Sequence, residues 1–358
     1  MVAQGYKQTE VGVIPDDWEV VQLCDISNLK SGKSITSDNI FNIGDYKCFG
    51  GNGLRGYTNT YTHNGKFPLI GRQGALCGNI NYTDEKFFAS EHAVVVTVKN
   101  NISPKWLYYV LTRMNLNQYS ESSAQPGLSV SKINILPIPY PIDKSEQTAI
   151  ATALSDMDSL ISSLESLIAK KRNIKQGAMT TLLSPKEGWE VKRLGEVCIS
   201  IISGKSNTKS ISGAYPIYGS TGIIGTKNFN DYEGDKILVA RVGANAGSVN
   251  KVKGKYCVSD NTLMITLFNN IDLDFIFFTL ISFQLNKLVF GSGQPLITGS
   301  QLKMIDITLP SFEKQTRIAN ILSDMDNEIA ALETKLEKYK QIKQGMMTNL
   351  LTGKIRLV

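Results

Sequence analysis

The sequence is poor in the residues that build metal and redox sites. It has two histidines, His63 and His92, and five cysteines at positions 24, 48, 77, 198 and 257. No CxxC spacing occurs, and two histidines cannot complete a Cys/His zinc set at usual spacing. An odd number of scattered thiols in a chain of 358 residues reads as small buried hydrophobes in a reducing compartment. No apolar run reaches the roughly 18 residues of a membrane span, and the N-terminus lacks a secretion-signal pattern. The expected location is the cytoplasm, with no membrane partner.

Catalytic motifs are missing as well. Ser31-Gly32-Lys33-Ser34 and Ser203-Gly204-Lys205-Ser206 look like the end of a nucleotide loop. That loop needs a further Gly five residues before the Gly of the Gly-Lys pair, and those places hold Ser27 and Ile199. Glu190-Val191-Lys192 has half of a nuclease metal motif, but its counterpart is Glu19-Val20-Val21 and no Asp pair accompanies either. Pro137–Pro141 lacks the polar residue and paired prolines of an amino-methyltransferase motif. No dinucleotide or methyl-donor loop is expected, and no catalytic constellation emerges.

What is present is length and repetition. A chain of this length suggests two or three domains. Its 42% hydrophobic and 20% charged residues suit a folded protein, and the net charge of +6 favours an anionic partner met at a local surface. From Ser145 to Ser184 the apolar residues Ile150, Leu154, Met157, Ile161, Leu164 and Ile168 step by fours and threes, the seam of a coiled-coil helix. Asp143 with Glu146 is expected to cap its start, and Pro185 to end it. A second seam runs through Leu322, Met325, Ile329, Leu332, Leu336 and Tyr339. Leu154-Ser-Asp-Met-Asp158 returns as Leu322-Ser-Asp-Met-Asp326, and Ile174-Lys-Gln-Gly177 as Ile342-Lys-Gln-Gly345, both at an offset of 168 (322 − 154 and 342 − 174). Two matched coiled-coil helices are expected to pack on each other.

The segments between the helices also repeat, more loosely. Trp18-Glu-Val matches Trp189-Glu-Val; Tyr46, Gly50, Gly53 and Gly56 match Tyr215, Gly219, Gly222 and Gly225; Pro141 matches Pro310. Strands are expected at Phe67–Ile70 and in the β-branched Ala93–Val98, and a short helix around Trp106–Leu111 begun by Ser103 and Pro104. The chain is therefore two copies of a mixed α/β unit followed by a long helix. The helices keep whole runs while the globular units share scattered Gly, Arg and Pro. That fits helices meeting one kind of partner and units reading different targets, and it also fits unequal drift after duplication.

The duplicated Arg-x-Gly-Ala-x-x-Gly carries the clearest local signal. Its glycines leave Arg72 and Arg241 projecting from compact loops, where each could fork onto guanine, clamp a phosphate, or pair an internal carboxylate. Gln73 and Asn245 share those loops. Gln125 and Gln294 each precede a proline and would suit bidentate contacts to adenine, or simply a turn. Lys33, Ser34, Lys205 and Asn207 would suit phosphate contacts that set register, or a solvated loop. These ten residues form the candidate DNA-binding set.

The layout resembles the specificity (S) subunit of type I restriction–modification enzymes. The resemblance rests on Trp18-Glu19-Val20 with the following SGKS, the Gly71-Arg72-Gln73-Gly74-Ala75 loop, and the Gln147…Ile150-Ala151…Leu154-Ser155 helix start, and it covers essentially the whole chain. It implies two α/β target-recognition domains joined by two long helices in an antiparallel coiled coil, with an internal pseudo-twofold repeat. The expected boundaries are 1–142 and 185–311 for the recognition domains, and 143–184 and 312–358 for the helices and tail. It further implies that double-stranded DNA with a split target, two methyltransferase subunits and restriction subunits are partners. Methyl donor and ATP would belong to those partners, leaving this chain without cofactor or catalytic residues. The competing expectation is a coiled-coil adaptor that binds protein only.

Overall fold

The computed structural model describes residues 3–357 apart from 75, 100, 122–125, 210–211 and 289–295. The chain divides into two compact units: Met1–Glu165 with Lys335–Val358, and Ser166–Thr334. Each therefore takes part of both long helices.

In the first unit, one four-stranded sheet has the order Gly53–Thr58, Tyr46–Gly50, Lys86–Ala89, His63–Asn64, with a parallel pair in the middle. A second, fully antiparallel sheet runs Ser27–Ser31, Ala93–Val98, Phe67–Gly71, Ile80–Thr83. Ala93–Val98 is the central strand its β-branched run predicts, with Val94 facing Ser31 on one side and Ile70 on the other. Helix Pro104–Arg113 covers this sheet. Ser103 caps it by accepting from the Trp106 N–H at 3.3 Å, and Trp106, Leu107 and Leu111 are fully buried. The second unit repeats both sheets in the same order, and its helix Leu273–Phe283 is capped by Asp272.

Pro137–Pro141 does more than close the unit: it is a strand, paired antiparallel with Trp18–Gln22. Its prolines at 137, 139 and 141 recur every second residue. The period of a strand sends their missing donors to the one unpaired edge.

The long helices run Lys144–Leu182 and Phe312–Leu350, 39 residues each and about 58 Å long. Within the first unit they run antiparallel: Asp158 pairs with Lys343 at 2.5 Å and Glu165 with Lys340 at 3.1 Å. Within the second unit Lys175 pairs with Asp326, and Arg172 with Glu333. These are the same pairs displaced by 168 with the roles exchanged (175 + 168 = 343, 158 + 168 = 326). The repeated LSDMD and IKQG runs thus have an internal reason to match, since the Asp of one meets the Lys of the other. Leu154, Leu164, Ile168, Leu322, Ile329 and Leu336 are buried, and Met157, Ile161, Met325 and Leu332 are half-buried.

The helix start departs from the expected capping pair. Asp143 does cap, accepting from the Ser145 N–H at 2.8 Å. Glu146 does not reach back to it. It is buried at 2% exposure, accepts from the Trp18 indole N–H at 3.0 Å, and is forked by Arg356 from the C-terminal tail. Next to it, Gln147 is fully buried, accepting from the Ser103 N–H and donating to the Pro141 carbonyl. Gln315 repeats both bonds with Asp272 and Pro310. These glutamines fasten each sheet unit to its helix.

Cys48, Cys77, Cys198 and Cys257 are buried free thiols, and Cys24 is half-buried. Burial pushes Cys198 up to about 12, so it stays an inert thiol.

Candidate nucleic-acid interface

Five segments of the first unit meet at one end of the two sheets. Ser31–Ser34 leaves the strand Ser27–Ser31, and Lys33 forms a bridge with Ser90. Gly32 is required by proximity: a Cβ there would overlap the Ala89 carbonyl, and the same holds for Gly204 and Val258. The SGKS signature is thus a close-packed crossing of two segments of the chain. The Arg72 N–H donates to the His92 carbonyl at 2.8 Å, tying the arginine loop to residues 90–92. The Leu128 N–H donates to the Arg72 carbonyl, and Gly74 to that of Pro126, bringing in the loop that carries Gln125. Residues 50–55, the turn between Tyr46–Gly50 and Gly53–Thr58, complete the rim. Together the turn, Gln73, Gly74 and His92 line an open concavity of about 540 Å³.

The second unit repeats this scaffold. Arg241 donates its N–H to the Asn261 carbonyl, Ile297 donates to the Arg241 carbonyl, and Ser259 donates to the Tyr218 carbonyl. The frame of backbone bonds is shared, while the side chains on the rim differ.

Lys33, Ser34 and Gln73 are exposed, Gln73 in this concavity and Ser34 in a separate depression with Thr36, Asn39 and Phe41. Arg72 is half-buried with Nη1 3.3 Å from Ser31 Oγ. Lys205 and Asn245 are exposed in the second unit. Asn207 is exposed too, but its Oδ1 already accepts from the Lys209 N–H at 2.9 Å. Gln125 and Gln294 lie outside the described residues. Among the described residues neither Arg72 nor Arg241 forms an ion pair, so neither has the internal carboxylate that a structural role would call for. Arg241 Nε is buried and has no hydrogen-bond partner among the described residues. Burial first, and then Lys33 and Lys30, depress His63 below the ordinary imidazole range.

Asn52, Arg55 and His92 also face this concavity and were not anticipated. Their signal was available, because the matched glycines at 50, 53, 56 and 219, 222, 225 frame positions that differ between copies. Contrary to the expectation that no dinucleotide loop occurs, Gly51-Asn52-Gly53-Leu54-Arg55-Gly56 has the full Gly-x-Gly-x-x-Gly spacing of one. It turns a β-hairpin, without the following helix whose N-terminus would hold a pyrophosphate. Among the described residues no group of three or more His, Cys, Asp or Glu is placed to hold a metal ion, and no helix is long and apolar enough to cross a membrane.

The family model for the type I restriction modification DNA specificity domain matches twice, at residues 15–175 and 186–344. The chain belongs to the type I restriction–modification specificity-subunit family. The two matches are its two tandem recognition domains, and the chain is not a coiled-coil adaptor. The chain is 44% identical to the EcoprrI specificity subunit of Escherichia coli over 146 residues, 40% of this chain and 36% of that one. It is 28% identical to the putative MjaX specificity subunit of Methanocaldococcus jannaschii, covering 99% of this chain and 97% of that one. Its fold is similar to the crystal structure of a type I S subunit from M. genitalium, with a TM-score of 0.72 at 20% identity over 93% of this chain and 96% of that one. As a specificity subunit, the chain has mixed α/β recognition domains and the long helices the repeat predicted.

Proposed function

We propose that this chain reads a split duplex DNA target, one recognition domain per half-site, as the non-catalytic subunit of a cytoplasmic type I restriction–modification complex. The observation that carries this is one backbone frame presented twice with different side chains on its rim: the Arg72 loop beside Arg55 and His92 in one unit, the Arg241 loop beside Ile224 and Asn261 in the other. Arg72, Gln73, Arg241 and Asn245 supply hydrogen-bonding groups toward base edges. Lys33, Ser34, Lys205 and Asn207 lie where phosphate contacts would set register, and Gln125 and Gln294 belong to the same loops by sequence. The long helices set the spacer.

Two methyltransferase subunits would dock on matched surfaces at the helix starts. A shallow groove on Ser145, Thr148, Thr152, Ala153 and Asp156 in the first unit has a counterpart on Glu313, Thr316, Asn320, Ile321 and Asp324 in the second, each position displaced by 168 (324 − 156). Restriction subunits join that assembly, and methyl donor and ATP bind to the partners.

Genome-wide adenine-methylation mapping in a clean host tests this, with the chain expressed beside its methyltransferase. The expected result is a bipartite motif with a fixed spacer that disappears when this chain is omitted. A continuous motif, or methylation that persists without the chain, would overturn it.

A further inference from the structure

The turn after strand Tyr46–Gly50 and its counterpart after Tyr215–Gly219 share a frame and differ sharply in chemistry. In the first unit the turn is Asn52-Gly53-Leu54-Arg55; Arg55 is exposed and forms no ion pair among the described residues. Its stem lies across Gly50: a Cβ added there would sit 3.5 Å from Arg55 Cδ and from Ser90 Oγ. The guanidinium is thereby carried on the rim next to Gln73 and His92. In the second unit the equivalent turn is Thr221-Gly222-Ile223-Ile224. Ile223 is 62% and Ile224 40% exposed, Val242 stands where Gln73 was, and Asn261 where His92 was.

Two adjacent exposed isoleucines at a hairpin tip are costly in water unless something covers them. Ser220 Oγ at the start of this turn donates to the Asn261 carbonyl, which also accepts from the Arg241 N–H, so the arginine loop adjoins the turn. Beside a cation, an anionic polymer is the occupant that fits, and base edges the apolar part of it. We propose that these turns are specificity-determining elements: Arg55 reads a guanine in one half-site, and Ile223 with Ile224 packs on a thymine methyl group in the other. This rests on the DNA-reading function proposed above. The chemistry follows the groove code, in which a forked guanidinium takes guanine O6 and N7 and an aliphatic side chain takes the thymine 5-methyl.

The test uses the full chain assembled with its methyltransferase subunits on a duplex library randomised at every position of the split motif. Wild type first establishes the motif; absence of any sequence preference would sink the DNA-reading function itself. With Arg55→Ala, discrimination at one guanine of one half-site should fall by roughly 5- to 150-fold. The other half-site should stay as it was, which also shows that the chain is folded. Arg55→Lys, which keeps the charge and loses the fork, should relax the same position. An unchanged motif would overturn the assignment. So would a uniform loss of affinity with a salt slope reduced by about one, the mark of a phosphate contact. For the second turn, replacing thymine by deoxyuracil removes the methyl alone. Wild type should lose affinity at one thymine of the second half-site, and Ile223→Ala/Ile224→Ala should be indifferent to that exchange. Wild-type indifference to deoxyuracil would overturn this part.

Discussion

Single buried polar residues hold the recognition domains on their helices, and the amino-acid pattern gives little warning of them. Gln147 makes one accepting and one donating bond to backbone while fully buried. Gln147→Ala should leave a buried N–H and a buried carbonyl unpaired and destabilise the first unit by about 2–4 kcal/mol in urea denaturation, and Gln315→Ala should do the same to the second. Arg356 is the sharper case. Its removal leaves Glu146, 2% exposed, with the Trp18 indole as its other partner, so Arg356→Ala should cost about 3–5 kcal/mol. Asp17, on the same arginine, is more exposed and shows its part through pH. Arg356 holds its carboxyl below the ordinary 3.8, so this contribution is complete above that value and is lost as pH falls through the lower folded one. The Asp17 share of the gap between wild type and Arg356→Ala should therefore be flat at neutral pH and close only in strong acid. Sequence spacing pointed Glu146 at Asp143 because capping is a local rule. Arg356 lies 210 residues away, and no local rule reaches it.

At the level of elements, the pattern carried much further. Heptad spacing fixes the seam faces of both long helices, and β-branching fixes Ala93–Val98 as a strand, because both follow from side-chain periodicity along one segment. Pairing between segments was visible only because the chain repeats. The Asp158–Lys343 and Lys175–Asp326 pairs are one interaction seen twice, and their repetition identifies the antiparallel register. Reversing Asp158 alone to Lys should place like charges together near Tyr109, whose hydroxyl donates to Asp158 at 2.7 Å, and cost about 1–2 kcal/mol. The exchange Asp158→Lys with Lys343→Asp should recover about 0.5 kcal/mol of that in a double-mutant cycle, a small value because both side chains are partly solvated. No recovery would mean that the seam alone sets the register. The recognition loops were legible as loops, through glycines that turns and close crossings demand. Which of their side chains point outward was not legible, since that depends on which loops the sheets bring together.

For the whole molecule, the antiparallel pairing constrains how the spacer could be altered. Residues 161–167 lie opposite residues near 336–342, because Glu165 meets Lys340 and Asp158 meets Lys343. Deleting Ile161–Leu167 by itself would shift every later pair on that helix by two turns against an unshifted partner, separating Lys175 from Asp326. That single deletion should weaken assembly. Deleting Leu336–Ile342 as well removes both members of the Glu165–Lys340 pair and leaves Asp158–Lys343 and Lys175–Asp326 in register. Seven residues shorten a helix by about 10 Å, close to 3 base pairs of duplex, and at nearly two full turns they leave the seam facing the same way. The matched deletion should therefore yield a complex whose methylation motif keeps both half-site sequences and has a spacer shorter by about 3 base pairs. A changed half-site with the old spacer would show that the helices do not measure the target, and that the recognition domains set their own separation.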